Sequence, residues 1–175
     1  MTGVSLRPAT ATDVPRLTEL VQAAYGHYVD RIGGLPGPMT DDYAQVVRTH
    51  RVTVAERAGE VVGLIVLDLS EKGLVIDNVA VDPAQQGSGV GRTLLEHAEA
   101  AALAAGLDWI HLYTHELMTE NLALYSRIGY TAYAPASAAM PASLPSQEAR
   151  LRTRGRRFSI NLQGARSGPL TPPPG

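Results

Sequence analysis

The sequence contains no cysteine, and this absence excludes several kinds of chemistry. Without thiols the chain can form no disulfide, bind no metal through thiolates and carry no intermediate on a cysteine nucleophile. Lysine is scarce as well, since Lys72 stands alone against fourteen arginines, but this bias predicts no function. Any acyl transfer by this chain must therefore proceed without an acyl-cysteine intermediate.

An excess of positive charge and long apolar runs are also missing. The formal net charge of −2 argues against non-specific binding of nucleic acid. No stretch approaches the roughly 18 consecutive apolar residues of a membrane span, and the first residues lack the pattern of a secretory signal. We therefore expect a cytoplasmic protein without a nucleic-acid or membrane partner.

The length of 175 residues fits one domain with a sizeable core. We expect a single domain over residues 1–163. Within it, residues 134–148 are rich in Ala, Pro and Ser and show no periodicity, so they predict an excursion on the surface. The Pro/Gly-rich residues 164–175 predict a disordered tail.

Hydrophobic periodicity predicts an alternation of strands and helices. A first strand at Val4–Arg7 precedes a helix capped by Thr12, and a second, shorter helix begins near Tyr43. Three antiparallel strands follow between residues 51 and 81, then a helix, a strand at Trp109–Thr114 and a helix over Thr119–Ile128. Because a helical crossover joins it to its predecessor, the strand at 109–114 is expected to be parallel to it.

The most informative stretch runs from Val79 to Leu95, where a strand passes through a glycine loop into a helix. Asp82-Pro83 ends the strand, Gln85–Gly91 forms the loop, and helical spacing begins after Gly91. Glycine N–H groups can approach a ligand closely and point the same way as the free donors of a helix N-terminus. Such a loop predicts an anion site, most often for phosphate.

The spacing of these glycines argues against two common phosphate sites. A P-loop requires Gly-Lys-Ser/Thr, whereas Gly91 is followed by Arg92 and Thr93. A dinucleotide fingerprint starting at Gly87 and Gly89 requires Gly or Ala at position 92, which Arg92 occupies. Nucleoside-triphosphate and dinucleotide binding are therefore both disfavoured.

The segment Gln86-Gly87-Ser88-Gly89-Val90-Gly91 instead resembles the Gln/Arg-x-x-Gly-x-Gly/Ala signature of the GNAT superfamily of acyl-CoA-dependent N-acyltransferases. The strand end Val79–Pro83 resembles the usual lead-in of that family. Downstream, Thr119–Tyr130 resembles its second motif, in which an Asn and a Tyr on one helix precede Gly-aromatic. The resemblance covers roughly residues 4–133.

The resemblance implies an α/β (α+β) fold with a mixed, mostly antiparallel sheet of six to seven strands and about four flanking helices. One parallel strand pair would splay apart and admit the acyl-pantetheine arm. The activity implied is transfer of acetyl from acetyl-CoA directly to a primary amine of a small molecule or peptide. Similar proteins often form dimers through their last strands, so a homodimer is possible.

Particular residues follow from the match. Tyr125 corresponds to the general acid that protonates the departing thiolate, and Asn121 lies four residues earlier on the same helical face. Tyr25, Tyr28 and Arg31 lie where the acceptor-binding helices are expected. The residues expected to bind acetyl-CoA are Val79, Ala80, Val81, Gln86, Gly87, Ser88, Gly89, Val90, Gly91, Arg92, Asn121 and Tyr125.

Several residues are candidates for the general base. Some family members carry a glutamate at the position of Val75, and Asp77 lies two residues further along, so Asp77 is the first candidate, acting directly or through water. His111, His115 and Glu116 are alternatives. No metal site is expected, because the apparent His-Glu-x-x-His at His115 ends in Thr119.

Two rival functions share parts of the pattern. A non-catalytic acyl-CoA-sensing module would have the same loop without turnover. A nucleotide-binding oxidoreductase is disfavoured by Arg92 but would bind NADH. Gly87-Ser88-Gly89 lacks the G-x-S-x-G register, so a hydrolase elbow is excluded.

Overall fold

The computed structural model describes residues 3–70, 73–115, 117–128, 132–133 and 157–163. Within them, seven strands form one sheet in the order β1-β2-β3-β4-β5-β7-β6. The strands are β1 (Ser5–Pro8), β2 (Arg51–Arg57), β3 (Glu60–Ser70), β4 (Gly73–Val81), β5 (Trp109–His115), β6 (Ala132–Tyr133) and β7 (Arg157–Gln163).

The pairing directions divide this sheet into two parts. Strands β1 to β4 form an antiparallel meander, and the remaining pairings, β4 with β5, β5 with β7 and β7 with β6, are parallel. Most paired positions lie in the antiparallel part. The predicted mixed sheet and the parallel orientation of β5 to β4 are confirmed.

Helices cover both faces of the sheet. They are α1 (Val14–Tyr25), α2 (Val29–Ile32), α3 (Tyr43–Thr49), α4 (Val90–Ala104) and α5 (Thr119–Ile128), of which α2 is a single turn. One buried cluster packs α4 and α5 against one face, and a second packs α1 and α3 against the other. The alternation of apolar residues along β3 serves both clusters, because Ile65 and Leu67 face α4 whereas Leu64 and Val66 face α1.

The start of the first helix differs from the prediction. Thr10, not Thr12, caps a 3₁₀ turn at Ala11–Asp13 that leads into α1, and Asp13 occupies the N-cap position of α1 itself. The Asp13 carboxylate accepts from the Thr10 backbone N–H at 2.7 Å and from the Thr10 hydroxyl at 3.0 Å. Arg7 of β1 also donates to Asp13, at 2.8 Å, so this longer-range contact favours the earlier cap.

The parallel pair β4 and β5 splays apart, as predicted. Only Leu74–Ile76 pairs with Ile110–Leu112. At this point β4 contains a bulge, because Ile76 pairs with Leu67 and Asn78 with Val66, which leaves Asp77 as an extra residue. β4 then continues along β3 as far as Val81, so one edge of its last residues is free of β5.

Several predicted features lie outside the described residues. They are the excursion at 134–148, the tail at 164–175, the candidate base Glu116 and the Gly129-Tyr130 end of the second motif. The single domain over residues 1–163 therefore stays a prediction. None of the helices described combines the length and the apolar character needed to cross a membrane.

Candidate active site

The glycine loop has the open backbone that the sequence predicts. Gly87 and Gly89 adopt φ angles of 77° and 90°, in the left-handed region that favours glycine. A Cβ atom added at either position would meet nothing within 4 Å. Gly89 is the N-cap of α4, which begins at Val90 rather than after Gly91. At these two positions the loop therefore presents bare backbone next to the N-terminus of a 15-residue helix.

Two arginines that the sequence analysis missed hold this loop in place. Arg16 of α1 donates from Nη2 to Asp82 Oδ2 at 2.6 Å. Asp82 also accepts from the Ala84 N–H at 3.0 Å, and this hydrogen bond, together with that from Arg16, lowers the pKa of the Asp82 carboxyl. The turn that leads out of β4 is thus fixed from the side of α1.

The second arginine is Arg57, at the end of β2. Its Nη1 donates to Gln85 Oε1 at 2.6 Å and to Ser88 Oγ at 2.9 Å, and its Nη2 donates to the Ser88 carbonyl at 3.3 Å. The Ser88 hydroxyl in turn donates to the Gln85 carbonyl at 2.5 Å. Ser88, expected to bind the cofactor, therefore faces Arg57. No sequence motif marks Arg57, because only the pairing of β2 brings it to the loop.

A cavity of about 840 Å³ joins the loop to the free edge of β4. It brings together most of the predicted site residues, from the loop, β4, α1 and α5. They are Tyr25, Tyr28, Val79, Ala80, Val81, Gln86, Gly87, Gly89, Gly91, Arg92, Asn121 and Tyr125. Ser88, Val90, Asp77 and Arg31 do not line it. Val90 is instead buried in the core beneath the loop, with 1% of its surface exposed.

Tyr125 lies on the cavity wall where α5 meets the sheet. Only 2% of its surface is exposed, and burial raises the pKa of its phenol above the ordinary value. The phenol therefore keeps its proton at neutral pH. Asn121 lies one turn earlier on the same wall, with its Nδ2 3.8 Å from Met118 Sδ.

A buried polar chain connects α1, β4 and α3. The Tyr25 hydroxyl lies 2.7 Å from Asn78 Oδ1 and 3.1 Å from the Val79 carbonyl oxygen. Asn78 Nδ2 donates to the Tyr43 hydroxyl at 2.9 Å, and Tyr43 donates to the Pro38 carbonyl at 3.0 Å. The Tyr25 side chain thus contacts the backbone of the β4 edge. The sequence predicts acceptor binding by Tyr25 and does not predict this contact.

Arg31 contacts two residues that line the cavity, Tyr28 and Glu120. Arg31 makes a two-pronged ion pair with Glu120, at 2.7 Å and 3.1 Å, and its guanidinium carbon lies 5.3 Å from the centre of the Tyr28 ring. The ion pair lowers the pKa of Glu120 to about 2, and burial together with Glu120 raises that of Tyr28 to about 12. The charge of Arg31 is therefore already paired with a carboxylate of the protein, that of Glu120.

The candidate bases lie away from this wall. Asp77 is half-buried at the bulge, where burial raises the pKa of its carboxyl, His50 opposes the rise and Asp68 adds to it. The His111 ring stacks on Trp109 with ring centres 6.0 Å apart, and His115 Nδ1 accepts from the Leu117 N–H at 3.1 Å. None of Asp77, His111 and His115 lines the cavity.

Part of the chain is similar to a known protein family. Residues 48–132, which span β2 to the start of β6, match the family model described as the acetyltransferase (GNAT) domain. This segment is therefore similar to a GNAT acetyltransferase domain, and it includes the glycine loop, the splayed strands and the helix that bears Tyr125.

Individual relatives are similar over part of their length. The chain is 34% identical over 87 residues to an IAA acetyltransferase of Azospirillum brasilense, covering 49% of this chain and 57% of that protein. It is 35% identical over 83 residues to a mycothiol acetyltransferase of Jonesia denitrificans, covering 46% of this chain and 26% of that one. The chain thus spans between about a quarter and just over half the length of these curated relatives.

Solved structures share the fold. An IAA acetyltransferase from Bacillus cereus is 27% identical with a TM-score of 0.56, covering 73% of this chain and 76% of that one. A PaiA N-acetyltransferase from Thermoplasma acidophilum, solved in complex with coenzyme A, has a TM-score of 0.65 at 15% identity, covering 73% of this chain and 89% of that one. Because its identity is only 15%, the similarity to the Thermoplasma acidophilum structure shows a shared fold alone.

Proposed function

We propose that the protein is an N-acetyltransferase that moves acetyl from acetyl-CoA directly to a primary amine of a small molecule or peptide. One observation carries the proposal. A single cavity connects an open glycine loop, a strand edge that β5 does not pair with and a buried protonated tyrosine. Acetyl-CoA requires these three parts: a loop for its diphosphate, a strand edge for its pantetheine arm and a proton donor for its departing sulfur.

The glycine loop suits the diphosphate. Gly87, Gly89 and Gly91 line the cavity, and the N-terminus of α4 adds the positive end of its dipole. An alanine Cβ at Gly91 would lie 3.4 Å from Leu124 and 3.6 Å from Val81, so the loop packs closely on the cavity wall at this point. Arg92 also lines the cavity and carries an exposed charge, shared with Glu96 at 3.0 Å.

The free edge of β4 suits the pantetheine arm. Val79, Ala80 and Val81 line the cavity beyond the point where β5 leaves β4. Backbone donors and acceptors on such an edge can pair with the amides of an extended ligand, as an added strand would. Tyr25 already contacts the Val79 carbonyl oxygen, and this contact helps to fix the edge before ligand arrives.

Acetyl-CoA, when bound, supplies an acetyl thioester, and the residues of the chain handle the protons. As the new C–N bond forms and the C–S bond breaks, Tyr125 donates its phenolic proton to the departing sulfur. The attacking nitrogen, which reacts as the neutral amine, loses one proton to water as the amide forms, with Asp77 on β4 as the first candidate to receive it, and solvent then returns a proton to Tyr125. Asp77 is two residues from Val79 but does not line the cavity, so its action requires an intervening water.

The names of the relatives support acetyl transfer and not one particular acceptor. They are an IAA acetyltransferase and mycothiol acetyltransferases, and the matched segment covers the acetyl-donor half of the fold from residue 48 onwards. Acceptor selection belongs to the cavity wall formed by α1 and the segment after it, where Tyr25, Tyr28 and His27 lie.

The direct test is release of free thiol from acetyl-CoA in the presence of a panel of amines. The proposal predicts saturable, amine-dependent release, with the acetylated amine found by mass spectrometry. Binding of coenzyme A without turnover across the panel would favour an acyl-CoA-sensing module instead. Tight NADH binding that coenzyme A does not displace would favour the oxidoreductase.

A further inference from the structure

Arg57 differs from other arginines of the protein in what surrounds its charge. Arg7, Arg16, Arg31 and Arg92 each form an ion pair with a carboxylate at 3.0 Å or less. None of the ion pairs within the described part of the chain involves Arg57. Its hydrogen bonds go to uncharged oxygens of Gln85 and Ser88, so its positive charge is not neutralised there.

The guanidinium is also partly removed from water. Arg57 is half-buried, and its Nε is a buried polar atom without a hydrogen-bond partner among the residues that the structure describes. A cation in such a place is less well solvated than in bulk water, and a nearby anion compensates it best. Arg57 also lies next to the cavity wall, because Gln85, which accepts from Arg57 at 2.6 Å, lines the cavity.

We infer that Arg57 is a positioning residue for the diphosphate of the acyl donor. Its charge attracts the diphosphate across the glycine loop, and its hydrogen bonds hold that loop open. The inference rests on the proposed function, because the ligand is acyl-CoA in both. Arg57 acts in two ways that reinforce one another. Its two-pronged contact fixes Gln85 and Ser88 on either side of Gly87, and its charge raises the potential at the loop N–H groups.

The charge acts over a short distance. Gln85 separates it from the cavity by one side chain, so the attraction persists at physiological salt, where the Debye length is about 8 Å, and is screened near 1 M salt, where that length is about 3 Å. The attraction should therefore depend on ionic strength, whereas the neutral hydrogen bonds of the loop should not. This difference separates an electrostatic role of Arg57 from a purely structural one.

The experiment is calorimetric titration with coenzyme A, at low and at high salt, of the parent and of Arg57→Gln, Arg57→Lys and Arg51→Gln. Arg51 is an exposed arginine at the other end of β2 and serves as the matched control. Arg57→Gln should bind about tenfold more weakly at low salt, as expected for loss of a hydrogen-bonded charge, and with less salt dependence. Arg57→Lys should keep the salt dependence of the parent, and Arg51→Gln should bind like the parent.

Each outcome decides the inference. Binding by Arg57→Gln within twofold of the parent overturns it, and so does a loss with unchanged salt dependence, because the charge would then be irrelevant. If Arg57→Gln fails to fold, Arg57→Met keeps the apolar stem and is held to the same expectation. Absence of binding by the parent itself contradicts the proposed function, which distinguishes that failure from a failure of Arg57 alone.

Discussion

The phenol of Tyr25, on α1, lies 2.7 Å from the side-chain oxygen of Asn78 on β4, and both groups are buried. Asn78 directly follows the bulge residue Asp77, at the point where β4 parts from β5. The contact therefore ties the helix to the strand where the free edge begins. Through its second contact, at 3.1 Å, Tyr25 also holds the Val79 carbonyl.

Replacing Tyr25 by Phe should weaken both folding and catalysis. The change leaves Asn78 Oδ1 buried without its donor, which should lower the free energy of unfolding by about 1–3 kcal/mol. It also frees the Val79 carbonyl on the proposed pantetheine edge, so kcat/KM for acetyl-CoA should fall. Urea unfolding and steady-state kinetics measure the two effects.

Tyr43→Phe provides the matched control for Tyr25. Tyr43 binds the other side of Asn78 and the Pro38 carbonyl but does not line the cavity. We expect a similar loss of stability with kcat/KM close to that of the parent. Equal losses of kcat/KM in the two variants would show that the hydrogen bonds among Tyr25, Asn78 and Tyr43 affect catalysis only through overall stability.

Replacing Tyr125 by Phe should remove the proton donor. We expect kcat to fall by about 10²–10⁴-fold, the usual contribution of a general acid. Because burial raises the pKa of Tyr125 above the ordinary tyrosine value, the parent should show no loss of activity from ionisation of this group between pH 7 and pH 10. The pH profile of kcat tests the second point, and a Tyr125→Phe variant as active as the parent would remove the assignment as acid.

Replacing Gly89 by Ala separates backbone strain from ligand contact. Its φ of 90° is unfavourable for alanine by about 1–2 kcal/mol, so the variant should be less stable. The new methyl group would project into open space on the cavity wall, so coenzyme A should also bind about tenfold more weakly, equivalent to 1.4 kcal/mol. Thermal unfolding and calorimetry measure the two changes.

Gly59→Ala is the control for Gly89. Gly59 has a φ of 81° in the turn between β2 and β3, and a Cβ atom there would also meet nothing within 4 Å. The Gly59→Ala variant should lose a similar amount of stability and keep the affinity of the parent for coenzyme A. A comparable drop in affinity would mean that strain alone weakens binding.

The Arg7–Asp13 contact should make stability depend on pH. Hydrogen bonds from Arg7 and Thr10 hold the pKa of the Asp13 carboxyl well below its usual range. Such a carboxylate stabilises the fold above the unfolded pKa of about 4, and the stabilisation is lost as the pH falls toward the folded value. Asp13→Asn should cost about 2 kcal/mol at pH 7 and progressively less below pH 4, so that the cost is clearly smaller at pH 2, measured by urea unfolding. Asp108→Asn, at an exposed position, should change little at either pH.

The sequence predicts the parts of this molecule that depend on neighbours along the chain. The glycine loop, the hairpin of β2 and β3 and the bounds of α5 follow from local periodicity and turn chemistry, and α5 coincides with the predicted Thr119–Ile128. The loop glycines are informative because their backbone conformation is itself a local property.

The remaining features depend on pairing between distant segments. Arg57 reaches Ser88 only because β2 pairs with β3 and β3 with β4, and no local pattern marks it. The bulge at Asp77 arises from one extra residue in β4 relative to β3, which changes where the candidate base lies. The sequence predicts Arg31 at the acceptor site, whereas in the structure it forms an ion pair with Glu120, 89 positions away, and does not line the cavity.

The most direct test of the acetyl-donor site is calorimetric titration of the protein with coenzyme A and, separately, with NADH. We predict saturable binding of one coenzyme A per chain, in competition with acetyl-CoA, and no heat with NADH. Absence of binding to coenzyme A, or NADH binding that coenzyme A does not displace, would contradict the proposal that this cavity holds an acetyl donor.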